Sequence, residues 1–209
     1  MVTGARGSKA PARVETYPLT PDRWRDFAQL MSLRFDTRYC WCMWPRTAES
    51  YKTRTAAANR RSIKKVVDSA AVPPGVLAYL DGEPAGWCAV APREEYKKLD
   101  RSRATSAVDV QPVWSVVCFS VRRDRRRAGL SRTLLSAAVD LAIQHGATIV
   151  EGYPVEGTRN LFRGVTSVFK DAGFKEVARR LPNRPIMRYH SPITLQSKHH
   201  QVRVTPPHR

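Results

Sequence analysis

Residues 119–131 read Phe119-Ser-Val-Arg-Arg-Asp-Arg-Arg-Arg-Ala-Gly-Leu-Ser131, an apolar strand end running into a basic, glycine-containing turn that opens a helix. A helix start presents unpaired amide N–H groups and the positive end of the helix dipole, so it binds an anionic phosphate through main chain alone. Close approach of a phosphate needs small residues, and Ala128, Gly129 and Ser131 supply them.

The flanking segments agree with that reading. Val113 to Val121 is a near-continuous apolar run introduced by Pro112, the pattern of a central strand covered on both faces. After the turn, Leu134, Leu135, Ala138, Leu141 and Ala142 fall on one helical face and Arg132, Ser136, Asp140 and Gln144 on the other, with Gly146 as the stop. Thr148 to Tyr153 is a further strand. Strand, helix and strand in this order imply a parallel pair joined by a crossover.

Upstream, Ala12 to Leu19 is expected to be a first strand, and Thr20 to cap a helix with Pro21 at its first position and Trp24, Phe27, Ala28 and Met31 on one side. A second helix is predicted from about Glu49 to Ala70, ended by Pro73, Pro74 and Gly75. The turn Asp81-Gly82-Glu83-Pro84 between apolar runs signals a hairpin of Val76–Leu80 and Ala85–Ala91. Arg93 to Val110 is a long charged connection. Thr166–Ala172 is a short helix stopped by Gly173, and Lys175–Arg180 and Ile186–Tyr189 are closing strands.

This layout resembles the GNAT superfamily of N-acetyltransferases. Its signature, Arg/Gln-x-x-Gly-x-Gly/Ala, is matched by Arg126, Gly129 and Ser131, with Ser131 departing from the usual Gly or Ala. Ser167-Val-Phe-Lys-Asp-Ala-Gly-Phe174 is similar to the family's late helix ending in Gly-Phe. The resemblance covers about residues 13–189 and implies an α/β (α+β) fold with a mixed, mostly antiparallel sheet splayed between its two parallel middle strands and flanked by helices. Residues 1–12 are expected to be a disordered basic leader, and 190–209 a disordered polar tail. No Walker or dinucleotide glycine string competes for the loop.

The resemblance further implies acetyl-CoA as co-substrate and an amine acceptor, either a small molecule or a protein amine. Arg126, Arg127, Ala128, Gly129, Leu130, Ser131 and Arg132 would hold the pyrophosphate. Phe119 and Val121 would exchange main-chain hydrogen bonds with pantetheine, Ser120 pointing the other way, and an amide there would polarise the thioester carbonyl. Glu151 is the first candidate for general base, directly or through water, and Asp109 the second. Relatives often carry a Tyr where this chain has Phe169, so the proton for the departing thiolate is left to Ser167, Tyr153 or solvent. A catalytically silent acyl-CoA sensor is the alternative that Phe169 raises.

Composition bounds the remaining choices. Thirty-six Lys and Arg against eighteen Asp and Glu give a net charge of +18, which favours any polyanion or reflects a generally arginine-rich composition. A basic nucleic-acid-binding protein is therefore an alternative, although no helix-turn-helix, zinc-finger or RNA-binding pattern occurs. No run approaches the ~20 apolar residues of a membrane span, and the first residues lack a signal peptide's apolar run, so a cytoplasmic protein is expected, as monomer or homodimer. Cys40, Cys42, Cys88 and Cys118 read as reduced packing residues. Tyr39 to Trp44 lies where the family builds its acceptor pocket, which leaves a reactive Cys40 as the competing reading. No metal is expected, since His199 and His200 sit in the tail.

Overall fold

The computed structural model describes residues 12–33, 35–49, 53–157 and 162–192. The expected leader, nearly all of the tail and His199 and His200 lie outside these described residues. Seven strands form one sheet in the order β1-β2-β3-β4-β5-β7-β6: β1 (Val14–Pro18), β2 (Gly75–Leu80), β3 (Glu83–Pro92), β4 (Trp114–Val121), β5 (Ile149–Gly152), β6 (Lys175–Arg179) and β7 (Pro185–His190). Every neighbouring pair is antiparallel except β4 with β5. The fold class is therefore the expected splayed α/β sheet with helices on both faces.

Asp81 and Gly82 both take left-handed backbone angles, φ 53° and 81°. That is the two-residue turn whose twist matches paired strands, and it makes the β2–β3 hairpin two residues tighter than the expected four-residue turn. On one face of the sheet, α4 (Leu130–Gln144) buries Leu130, Leu134, Leu135, Ala138, Val139, Leu141 and Ala142. Each buried leucine contributes about 1.5–3 kcal/mol of transfer free energy. The other face is covered by α1 (Trp24–Ser32), α2 (Phe35–Cys40) and α3 (Ala56–Ser69) around Phe27, Trp41, Ile63 and Trp87.

Two helix starts differ from the sequence reading. Residues Pro21–Arg23 form a 3₁₀ turn before α1, and the Thr20 hydroxyl accepts from the Arg23 guanidinium (3.2 Å) instead of capping a main-chain amide. The second predicted helix begins not near Glu49 but at Ala56. There the Thr55 hydroxyl accepts from the Ala58 amide at 3.1 Å, a cap contributing about 1 kcal/mol. The aperiodic stretch 34–48 contains the short helix α2 and then Trp41 and Cys42 at φ 48° and 54°, which breaks any helical period.

The short helix α5 (Thr166–Asp171) drives Phe169 under the sheet, fully buried and edge-on to Phe119 and Phe174. Gly152 on β5 makes room for it: a Cβ there would lie 2.1 Å from the Phe169 ring. Gly152→Ala is expected to lower unfolding free energy by about 1–3 kcal/mol through overpacking. Urea unfolding reads this directly, and an unchanged midpoint would contradict the packing described.

Candidate active site

The parallel pairing of β4 with β5 spans only Trp114–Val150, Ser115–Glu151 and Val116–Gly152. Residues Val117 to Val121 run on along β3 with no partner on β5. This opening is the splay that the sequence led us to expect. The Phe119 amide faces it, since it donates to the carbonyl of Phe162 (2.6 Å) and not to β3. Gly164 then packs its backbone against the rings of Phe119 and Phe169. The amide assigned to pantetheine is thus present and aimed into the gap, with a carbonyl of this chain on it.

At the end of β4 the chain makes a 3₁₀ turn, Arg123–Arg125, and reaches α4 through Arg126 in extended conformation. Arg127 (φ 67°) and Gly129 (φ 73°) are both left-handed. Left-handed residues alternating along such a turn direct successive amides to one side, the arrangement that receives anions. Among the described residues, the amides of Arg127, Ala128, Gly129, Leu130 and Ser131 have no main-chain acceptor. Arg126, Arg127, Ala128 and Gly129 are exposed, Ser131 is half-buried and Leu130 anchors the helix in the core at 2 % exposure. Arg122 and Arg125 pair with Asp124, and Arg132 pairs with Asp171, so the loop cations without a carboxylate partner among the described residues are Arg123, Arg126 and Arg127, of which Arg126 and Arg127 flank the helix start. The side chain of Ser120 is buried, and Val121 is half-buried.

Below the gap lies a buried polar network. Glu151 is fully buried, and its Oε1 accepts from the Tyr153 hydroxyl (2.6 Å) and Arg93 Nη1 (3.3 Å) while Oε2 accepts from Arg188 Nε (2.7 Å). Tyr153 also accepts from Arg93 (2.6 Å) and contacts the Ser115 hydroxyl (2.9 Å). Arg188 extends the chain to both oxygens of Asp109, at 2.6 and 3.1 Å. That clamp holds the Asp109 carboxyl below the ordinary carboxylate range, which makes Asp109 a weak proton acceptor. Burial first and the Glu151 charge second push the Tyr153 phenol well above its ordinary value, so it keeps its proton at neutral pH. Glu151 and the protonated Tyr153 are thus joined by a short hydrogen bond beside the last paired residues of β4 and β5.

Ser167 is exposed in the first turn of α5, while Phe169, two residues on, is sealed in the core. On the opposite face, Trp41, Cys42 and Met43 are buried, and the Cys42 sulfur lies 3.3 Å from that of Cys118 and accepts from the Trp87 indole (3.1 Å). Burial, then the neighbouring Cys42, pushes the Cys40 thiol up to about 11. Contact with Cys118 and burial raise Cys42, and burial raises Cys88. These three are therefore thiols and not thiolates near neutral pH, the packing role expected of them. A separate groove between α1 and α3 is lined by Trp24, Arg60, Arg61, Lys64, Lys65 and Asp68.

The family profile for the acetyltransferase (GNAT) family matches residues 27–163. The chain belongs to the GNAT acetyltransferase family. No curated protein sequence matches it significantly. Its fold is similar to mosquito arylalkylamine N-acetyltransferase like 5b (11% identity, 86% of this chain and 100% of that one, TM-score 0.56). It is also similar to GNAT-family acetyltransferases from Streptococcus pneumoniae (11%, 85% and 99%, 0.52) and Listeria monocytogenes 4b F2365 (12%, 85% and 95%, 0.53). At these identities the likeness establishes the fold alone.

Within this GNAT fold, Arg93, Ser115 and Arg188 contact Glu151 or Tyr153 and Phe162 contacts Phe119, although sequence pattern assigns none of them a role. A signal was present for one of them: Arg188 is the charged residue inside the otherwise apolar run Ile186–Tyr189. The loop itself yields a test. Gly129→Val adds no contact, since nothing lies within 4 Å of a Cβ there, but forces a β-branched residue into left-handed backbone. Calorimetry with CoA is expected to show binding lost or weakened at least about tenfold with the circular dichroism spectrum unchanged. Wild-type affinity would show that the loop has been misassigned.

Proposed function

We propose that this GNAT protein transfers the acetyl group of acetyl-CoA to a primary amine by direct attack of the amine nitrogen on the thioester carbonyl carbon. The observation that carries this reading is the row of five acceptor-free amides from Arg127 to Ser131 beside the unpartnered edge of β4. The row suits a diphosphate, and Arg126 and Arg127 add charge to it. Pantetheine would run along β4 and replace the Phe162 carbonyl on the Phe119 amide. That amide, turned on the thioester oxygen, would stabilise the charge that develops as the tetrahedral centre forms.

The amine must shed a proton as the C–N bond forms, and the C–S bond then breaks to release CoA thiolate. Glu151 is assigned the base role through Tyr153: the phenol oxygen takes the amine proton while its own proton passes to Glu151 along the 2.6 Å bond. Asp109 serves as a weaker second candidate. Solvent, Ser167 or the proton held on the relay protonates the CoA thiolate, a leaving group that tolerates the absence of a dedicated acid near neutral pH. Phe169 offers no proton, and this feature favours the catalytically silent acyl-CoA sensor as the second reading.

Acetyl-CoA with a broad amine panel, read by thiol release, separates the two readings. Turnover supports the transferase, tight CoA binding without turnover supports the sensor, and absence of CoA binding removes both. Once an acceptor is found, Tyr153→Phe is expected to lower kcat about 10²-fold or more with CoA affinity retained. An unchanged kcat would remove the relay.

A further inference from the structure

Arg163 is a half-buried cation that the mechanism above does not use. Its Nη1 is sealed from solvent with no hydrogen-bond partner. Two other arginines also bury an unpaired nitrogen, but Arg46 is ion-paired to Glu95 and Arg125 to Asp124. Arg163 has no carboxylate at ion-pair distance among the described residues. A guanidinium nitrogen removed from water without an acceptor is an unfavourable arrangement.

The location of this unpaired charge is informative. The Phe162 carbonyl sits on the Phe119 amide, so the next residue lies at the mouth of the β4–β5 gap, where the acyl group is to be attacked. The charged and titratable neighbours of Arg163 are Arg184, Tyr153 and Cys118; burial and the Arg184 charge pull its pKa down. Tyr153 bonds Glu151, Arg93 and Ser115 and, as a protonated phenol, gives Arg163 no counter-charge. The unpaired Nη1 of Arg163, with the Arg184 charge acting on it and no carboxylate at ion-pair distance of either among the described residues, suits an anion, and the planar fork of Arg matches a carboxylate in two-point contact.

We propose that Arg163, assisted by Arg184, binds a carboxylate on the acceptor, which makes the substrate class amino acids rather than simple amines. This rests on the acyl-transfer reading for its chemistry but not for its binding. In an α-amino acid a single carbon separates the amine from the carboxylate. An anchor one residue beyond the carbonyl that faces the Phe119 amide therefore suits a nucleophile of that size.

The test compares twenty L-amino acids with their carboxamides, which keep shape and amine but lose the anion. Wild type, Arg163→Met and Arg163→Lys are each assayed for thiol release from acetyl-CoA and for melting temperature with CoA present. At least one free acid is expected to exceed its carboxamide in kcat/KM by roughly 10- to 100-fold. Arg163→Met should collapse that ratio towards one, chiefly through KM for the acid, and Arg163→Lys should restore part of it. The free acid should raise the melting temperature of wild type and not of Arg163→Met. Preference for carboxamides, or equal losses on both substrate types with unaltered ratio, would overturn the proposal. If CoA binds but nothing is acetylated, the transferase reading fails separately; the anion receptor then stands if Arg163→Met abolishes a melting shift given by free acids, and falls if wild type shows none.

Discussion

The structure turns on a parallel strand pair that stops early. Three residue pairs join β4 to β5, after which β4 continues paired with β3 alone, with an amide directed sideways where β5 no longer runs. Unpaired main-chain groups inside a protein are costly, so an edge of this kind must be taken up by something. In this chain the carbonyl of Phe162 takes up the Phe119 amide. The same geometry that leaves the edge open also delivers the chain into the Arg126–Ser131 turn and the start of α4. On the proposed reading, the acyl and phosphate ends of a long cofactor would share a single continuous main-chain track.

Around that track, rigidity comes from opposite sources on the two faces of the sheet. Phe119, Phe169 and Phe174 stack edge to face beneath it, and Gly152 and Gly164 are the places where backbone yields volume to those rings. On the other face the fixed element is polar: Arg93, Glu151, Tyr153 and Arg188 interlock with nearly all hydrogen-bonding capacity used. Removing one partner of a buried ion pair typically costs about 3–5 kcal/mol. This network therefore holds Tyr153 in place, and Arg163 stands out as a cation with no carboxylate partner among the described residues.

Much of this was legible from local sequence. The Asp81-Gly82 turn, the apolar run of β4, the amphipathic face of α4 and the small residues of the loop each depend on neighbours in the chain, so pattern alone locates them. The start of α3 was misplaced because the hydroxyl that ends the preceding turn belongs to Thr55, and an acidic residue at Glu49 imitates a helix opening. The polar network was not legible, since Arg93, Asp109, Glu151 and Arg188 meet only through sheet order. Likewise, no spacing rule brings Cys42 to Cys118 or sets Phe162 against Phe119; both depend on how separate elements pack.

The central claim is that main-chain amides at the start of α4 hold the cofactor's diphosphate. Titration of uniformly ¹⁵N-labelled protein with CoA, followed by amide shifts, tests it most directly. The account predicts that the largest changes fall on Arg127 to Ser131 and on Phe119. Saturable changes confined to the Trp24–Arg60–Lys64 groove, with the α4 loop unmoved, would contradict it.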